Sequence, residues 1–154
     1  MITAWRIVKE RYAQYAFSGE GSRLYGTRWT SPGVRVTLVS ETCSLATLEI
    51  LVHLGQPQIL HSYVALRVEF DEELVSHLDG NLLPSDWRTF PSPPELRAIG
   101  DDWARSRASA ILRVPSAVVE TEFNYILNPD HPEIDRVSCG PPEPFAVDSR
   151  LLGH

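Results

Sequence analysis

The apolar positions of this chain follow two periods. Alternation marks strands. Thr3 to Val8 reads as a short strand, and Val34 to Ser40 as a second, with Val34, Val36 and Leu38 on one face. His61 to Phe70 is the clearest strand, in which Val64, Leu66, Val68 and Phe70 alternate with Tyr63, Ala65, Arg67 and Glu69. Ile111 to Val114 and Tyr125 to Asn128 add two more, the last ended by Asn128-Pro129 because proline cannot continue a ladder. Helical spacing marks the rest. Ser40 or Thr42 caps a helix running to about Leu54 and stopping at Gly55, with Leu45, Leu48, Val52 and Glu49 on one face. Pro94 suits a helical first turn, so Pro94 to Ala108 is predicted helical, with Leu96, Ile99 and Trp103 as its buried stripe. Leu74 to Leu78 reads as a brief helical turn. Arg11 to Ser31 reads as loop with room for one short helix, and Gly80 to about Pro91 as loop.

Strands and helices alternate early, and short strands follow in quick succession. That order predicts an α/β (α+β) fold with a curved or split mixed sheet rather than a doubly wound one. The length of 154 residues fits a single domain over 1–154, with a turn-rich tail from about Cys139, and it suffices for a core without metals or disulfides. Ten of the twelve prolines follow position 80, so the second half is expected to be rich in turns. A net charge of -6 speaks against a broad nucleic-acid footprint but leaves room for a local basic pocket. Two cysteines, Cys43 and Cys139, make no disulfide framework, and the five histidines show no metal-ligand spacing, so no metal site is expected. The first residues lack a signal pattern and no apolar run approaches a membrane span, so the expected location is cytoplasmic, with no membrane partner.

The candidate chemistry is concentrated between Phe17 and Leu54. Gly19, Gly21 and Gly26 do not form the dinucleotide fingerprint, and there is no GK[ST] phosphate loop. The content of the segment is more telling than its glycines. Arg23 and Arg28 are suited to paired hydrogen bonds with phosphate oxygens, and Tyr25 and Trp29 to stacking on a planar ring. Glu49, among the leucines of its helix, is expensive to bury unless paired or used. Two readings of it stand open: a structural ion pair with Arg6 or Arg28, or a catalytic carboxylate that stabilises positive charge. Arg6, mid-strand between Trp5 and Ile7, points either to solvent or into a cleft. Ser116 has no Gly-x-Ser-x-Gly elbow around it, so it is a turn serine or a ligand-hydroxyl partner rather than a hydrolase nucleophile.

Several separate pieces resemble the RES domain, the toxin half of a bacterial toxin–antitoxin pair. They are Trp5-Arg6-Ile7, Phe17 to Gly21, Arg28-Trp29, Ser31-Pro32-Gly33, the helix bearing Glu49, Pro115-Ser116, and Asn124-Tyr125 with Asn128 to Pro132. The resemblance covers residues 3 to about 148. One block departs from the family pattern: Gly26-Thr27-Arg28-Trp29-Thr30 stands where Gly-Gly-Arg-Trp-Asn is usual. The resemblance implies a fold similar to ADP-ribosyltransferases and a toxin that degrades NAD at the nicotinamide–ribose bond, as a glycohydrolase with water or a phosphorylase with phosphate as acceptor. NAD is then a substrate, and no true cofactor is implied. The alternatives are a protein mono-ADP-ribosyltransferase and an inactive module that only binds an antitoxin. The implied partner is an Xre-like helix-turn-helix antitoxin in a hetero-oligomer, with no direct nucleic-acid contact by this chain. Carried over by residue, Arg6, Arg28, Glu49 and Ser116 fall on the family's catalytic polar positions. Tyr25, Trp29 and Asn124 join Arg6, Arg28 and Ser116 as substrate-binding candidates.

Overall fold

A computed structural model describes residues 1–53 and 62–152. Eight strands form one mixed sheet: β1 (Ile2–Lys9), β2 (Thr37–Ser40), β3 (Tyr63–Phe70), β4 (Val75–His77), β5 (Ile111–Pro115), β6 (Phe123–Leu127), β7 (Ser138–Cys139) and β8 (Glu143–Phe145). Their spatial order is β4-β5-β6-β2-β1-β3-β7, and β8 pairs with β3. All pairings are antiparallel except β4 with β5. Among the described residues, three α-helices accompany the sheet: α1 (Glu20–Tyr25), α2 (Cys43–His53) and α3 (Pro94–Ser106). This is the mixed α/β class with a split sheet that the order of elements predicts.

The split falls between β1 and β2. β1 and β3 zip together over eight pairs, from Ile2↔Phe70 to Lys9↔Tyr63, and β2 pairs with β6 over four. β1 and β2, by contrast, share a single register pair, Trp5↔Ser40. Two well-paired halves therefore meet at one point and part on either side of it. A carbonyl at such a parting has no ladder partner and must find a side chain or water.

Three apolar clusters hold the halves. Ala4, Val39, Val68, Phe70, Tyr125 and Leu127 form one, in which the Phe70 and Tyr125 rings meet edge to face at 5.2 Å. α3 lays Leu96 and Trp103 on Leu112, Val114 and Ile126 of β5 and β6. α2 covers Ile7 and Ala65 through Ala46, Ile50 and Leu51, with Trp5 and Cys43 packed alongside.

Three sequence expectations are corrected. Thr42 does cap α2, accepting from the Leu45 amide, but the buried side chains are Leu45 and Ala46, while Leu48 is 37 % and Val52 60 % exposed. Spacing identifies a helical face but cannot say which of two adjacent apolar stripes meets the sheet. Leu74 to Leu78 is not a helical turn. Its centre is strand β4, held by a parallel ladder with β5, a long-range pairing that local pattern does not carry. The second strand begins at Thr37, three residues later than its apolar alternation suggests. The expected ends of the second helix, Leu54 and Gly55, and His61 of the third strand lie outside the described residues.

Candidate active site

The parting of β1 and β2 opens a cleft of about 630 Å³, a size suited to a small-molecule ligand. α2 enters it with Ala46, Glu49, Ile50 and His53, the one-face spacing of a helix. β1 contributes Arg6, the loop after α1 contributes Arg28, and β6 contributes Asn124.

Arg6 bridges the split. Its Nε donates to the Ala16 carbonyl at 2.8 Å and its Nη1 to Leu38 of β2 at 2.9 Å, which serves a carbonyl left without a strand partner. Burial pulls its guanidinium down to about 10, so it remains cationic at neutral pH. Of the two readings of Arg6, the structure supports the cleft.

Arg28 is held by its loop and by α3. Thr27 Oγ1 accepts from the Trp29 and Thr30 amides at 3.1 and 3.0 Å, and it lies 2.8 Å from Thr30 Oγ1. The two threonines that depart from the usual block thus close the turn themselves. Arg97 Nε donates to the Thr27 carbonyl and the Ser31 amide to Asp101, both from α3. Gly100 lets the helix approach so near that a Cβ there would sit 1.8 Å from the Trp29 carbonyl oxygen. Arg28 Nη1 donates to the Trp87 and Thr89 carbonyls at 3.0 and 2.9 Å, which anchors the loop before α3. Partial burial lowers the Arg28 pKa, and the charge of Glu49 opposes that shift.

Glu49 forms no ion pair with Arg6 or Arg28 among the described residues; neutral donors hold it instead. Ser116 Oγ and Asn124 Nδ2 both donate to Oε1 at 2.8 Å. Ser116 is fully buried, outside the cleft, and accepts from the Val118 and Val119 amides at 3.0 Å each. It is a turn serine that also orients Glu49. Asn124 in turn accepts from Ser40 Oγ at 2.7 Å. No other hydrogen bond to the carboxylate occurs among the described residues, so Oε2 is left to the cleft.

The aromatics divide. Tyr25 is 79 % exposed at the rim, whereas Trp29 is 2 % exposed, its ring packed in the α3 cluster and 6.4 Å from Trp87. Trp29 borders the cleft but has no free face for stacking, because its indole fills the core beneath the Arg28 loop. Arg23 is paired with Glu20 at 2.8 Å and does not line the cleft. Several lining residues are not among the sequence-based candidates, Ser40, Arg88 and Phe90 among them. Arg88 donates to the Ala117 carbonyl and Glu120, and Phe90 is 88 % exposed. Only the aromatic and basic composition of Trp87-Arg88-Thr89-Phe90 hints at the last two.

A mixed sheet split over a cleft, lined by one anchored carboxylate and by arginines, defines a small α/β domain with a polar cleft between its two halves. The chain belongs to the RES domain family, whose model matches residues 3–148. It is 36 % identical over 149 residues, covering 96 % of each chain, to the Toxin Res of Photorhabdus laumondii. It is 29 % identical over 154 residues, covering 96 % of this chain and 95 % of the relative, to the Prs ADP-ribosylating toxin of a Sphingobium species. Its fold matches a chain of the M. tuberculosis MbcT–MbcA toxin–antitoxin complex with a TM-score of 0.77 at 14 % identity, covering 94 % of this chain and 84 % of that one. Among the described residues, no helix is long and apolar enough to cross a membrane.

Proposed function

We propose that this chain is a toxin that consumes NAD by breaking its nicotinamide–ribose bond. One observation carries the reading: Glu49 is pinned through Oε1, its Oε2 has no hydrogen-bond partner among the described residues, and it lines a cleft with Arg6, Arg28 and Arg88. The guanidinium groups suit a pyrophosphate, and the exposed Tyr25 and Phe90 suit the planar rings of a dinucleotide. In the step itself the C1′–N bond breaks and its electron pair goes to the cationic nicotinamide, which leaves neutral. Positive charge then develops on the ribose, as in glycoside hydrolysis. A preorganised carboxylate stabilises that charge or holds the ribose hydroxyls. Water or phosphate attacks C1′, and with water a proton is released.

A second reading keeps the same step but makes a protein side chain the acceptor, and the ADP-ribosylating relative favours it. Toxicity of this kind calls for an inhibitor, and the matched complex supports an antitoxin partner, for which an Xre-like helix-turn-helix protein is the proposed type. Expression without the antitoxin should arrest growth as cellular NAD falls. Labelled NAD then separates the acceptors: label in free ADP-ribose indicates water, in a phosphorylated product phosphate, and on a macromolecule the transferase. Arrest with unchanged NAD and no transferred label would overturn both readings.

A further inference from the structure

The hydrogen bonds around Glu49 have a direction, and it leads through Asn124 to Ser40. Glu49 as a carboxylate only accepts, so the Asn124 amide must turn its Nδ2 towards it. The Oδ1 of Asn124 then faces Ser40, whose hydroxyl must donate. On the other side, Ser116 Oγ already accepts two backbone N–H groups, so its own proton is free to go only to Glu49. Ser40 and Asn124 are register partners on β2 and β6, so the sheet itself sets their spacing. Both are 5 % exposed, and both line the cleft. Ser40 is also the one residue of β2 that pairs with β1, at the point where the sheet parts.

We propose that Ser40 is a positioning residue: by donating to Asn124 Oδ1 it fixes the amide so that Asn124 and Ser116 together pin one oxygen of Glu49 and leave the other presented to the cleft. Without the Ser40 hydroxyl, the buried Asn124 oxygen loses its partner and the amide is free to turn. Its oxygen would then face the carboxylate, and Glu49 would lose one of two anchors. Asn124 on this account acts on Glu49 rather than gripping the substrate. The charged or titratable groups that share the cleft with Glu49 are His53 on its own helix, Arg6 from β1, Tyr25 at the end of α1, Arg28 from the loop after it and Arg88 from the loop before α3.

The inference rests on the NAD-cleaving reading, and two measurements keep the two apart. Nicotinamide release should show kcat falling about tenfold in Ser40→Ala with KM changed less than twofold, and Ser40→Cys, a weaker donor of similar size, falling between. Asn124→Asp, which removes the amide donor to Glu49 and sets a like charge beside it, should lower kcat further than Ser40→Ala does. Independently of any substrate, nitrogen-15 NMR should show the Asn124 side-chain amide resonances displaced in Ser40→Ala. Unchanged kcat and unchanged Asn124 amide resonances in folded Ser40→Ala would overturn the role of Ser40 while leaving NAD cleavage standing. Resonances that move in a protein that releases no nicotinamide would uphold the positioning and overturn the substrate.

Discussion

At the scale of single residues, the site turns on what holds Glu49. Hydrogen bonds from neutral groups fix a carboxylate without neutralising it, whereas a close ion pair with Arg6 or Arg28 would have spent its charge. Ser116 carries the heavier structural load, because it also satisfies two backbone N–H groups of its turn. Ser116→Ala is expected to lower stability by about 1–3 kcal/mol through those orphaned donors and to lower kcat as well. Urea denaturation and nicotinamide release measure the two losses, and full stability would contradict the turn role. Arg6 gives a prediction with a sign. Its folded pKa of about 10 lies well below the ordinary arginine value, so between the two the folded state holds fewer protons than the unfolded one. The penalty for burying its charge is therefore fully present below about pH 10 and is relieved as pH rises through that value. If Arg6 binds the proposed dinucleotide through its charge, binding should stay flat across neutral pH and weaken as pH passes about 10. Calorimetric titration across that range checks it, and an affinity that holds while Arg6 deprotonates would remove Arg6 from binding.

At the scale of elements, α3 matters to the cleft without entering it. Arg97, Gly100 and Asp101 fasten the turn that carries Arg28. Gly100→Ala must push α3 off the Trp29 backbone, so a loss of about 1–3 kcal/mol in stability with a raised KM is expected, read by thermal melting and steady-state kinetics. A variant as stable as the parent would show that the helix can shift without consequence. The loop before α3 behaves oppositely. Phe90 is almost fully exposed, so Phe90→Ala should leave stability within about 0.5 kcal/mol and raise KM for NAD, and an unchanged KM would remove Phe90 from the site. Such differences mark how far the chain could be read in advance. Glu49, Arg6 and Arg28 were legible because a charged residue inside an apolar or glycine-rich stretch breaks a pattern. Ser40, Arg88 and Phe90 break none: a serine at a strand end and an arginine in a loop are ordinary, and only long-range register brings them to the cleft. The same holds for β4, whose identity as a strand depends on a partner more than thirty residues away in the chain.

At the scale of the whole molecule, the cleft exists because β1–β3 and β2–β6 are each well paired and touch at only one register position. The molecule is acidic overall, yet the cleft gathers Arg6 and Arg28, with Arg88 already paired to Glu120, so any attraction for an anionic ligand would be local and short-ranged. The mixed, split sheet was legible from the order of elements. The position of the split was not, since it follows from pairings that end, which no local pattern records. The decisive measurement is nicotinamide released from NAD by the purified chain, free of any antitoxin, compared with Glu49→Gln. The chain should release nicotinamide, and the folded variant should bind NAD with similar affinity while losing at least about a hundredfold in kcat. No release by the parent chain, or undiminished release by the variant, would contradict it.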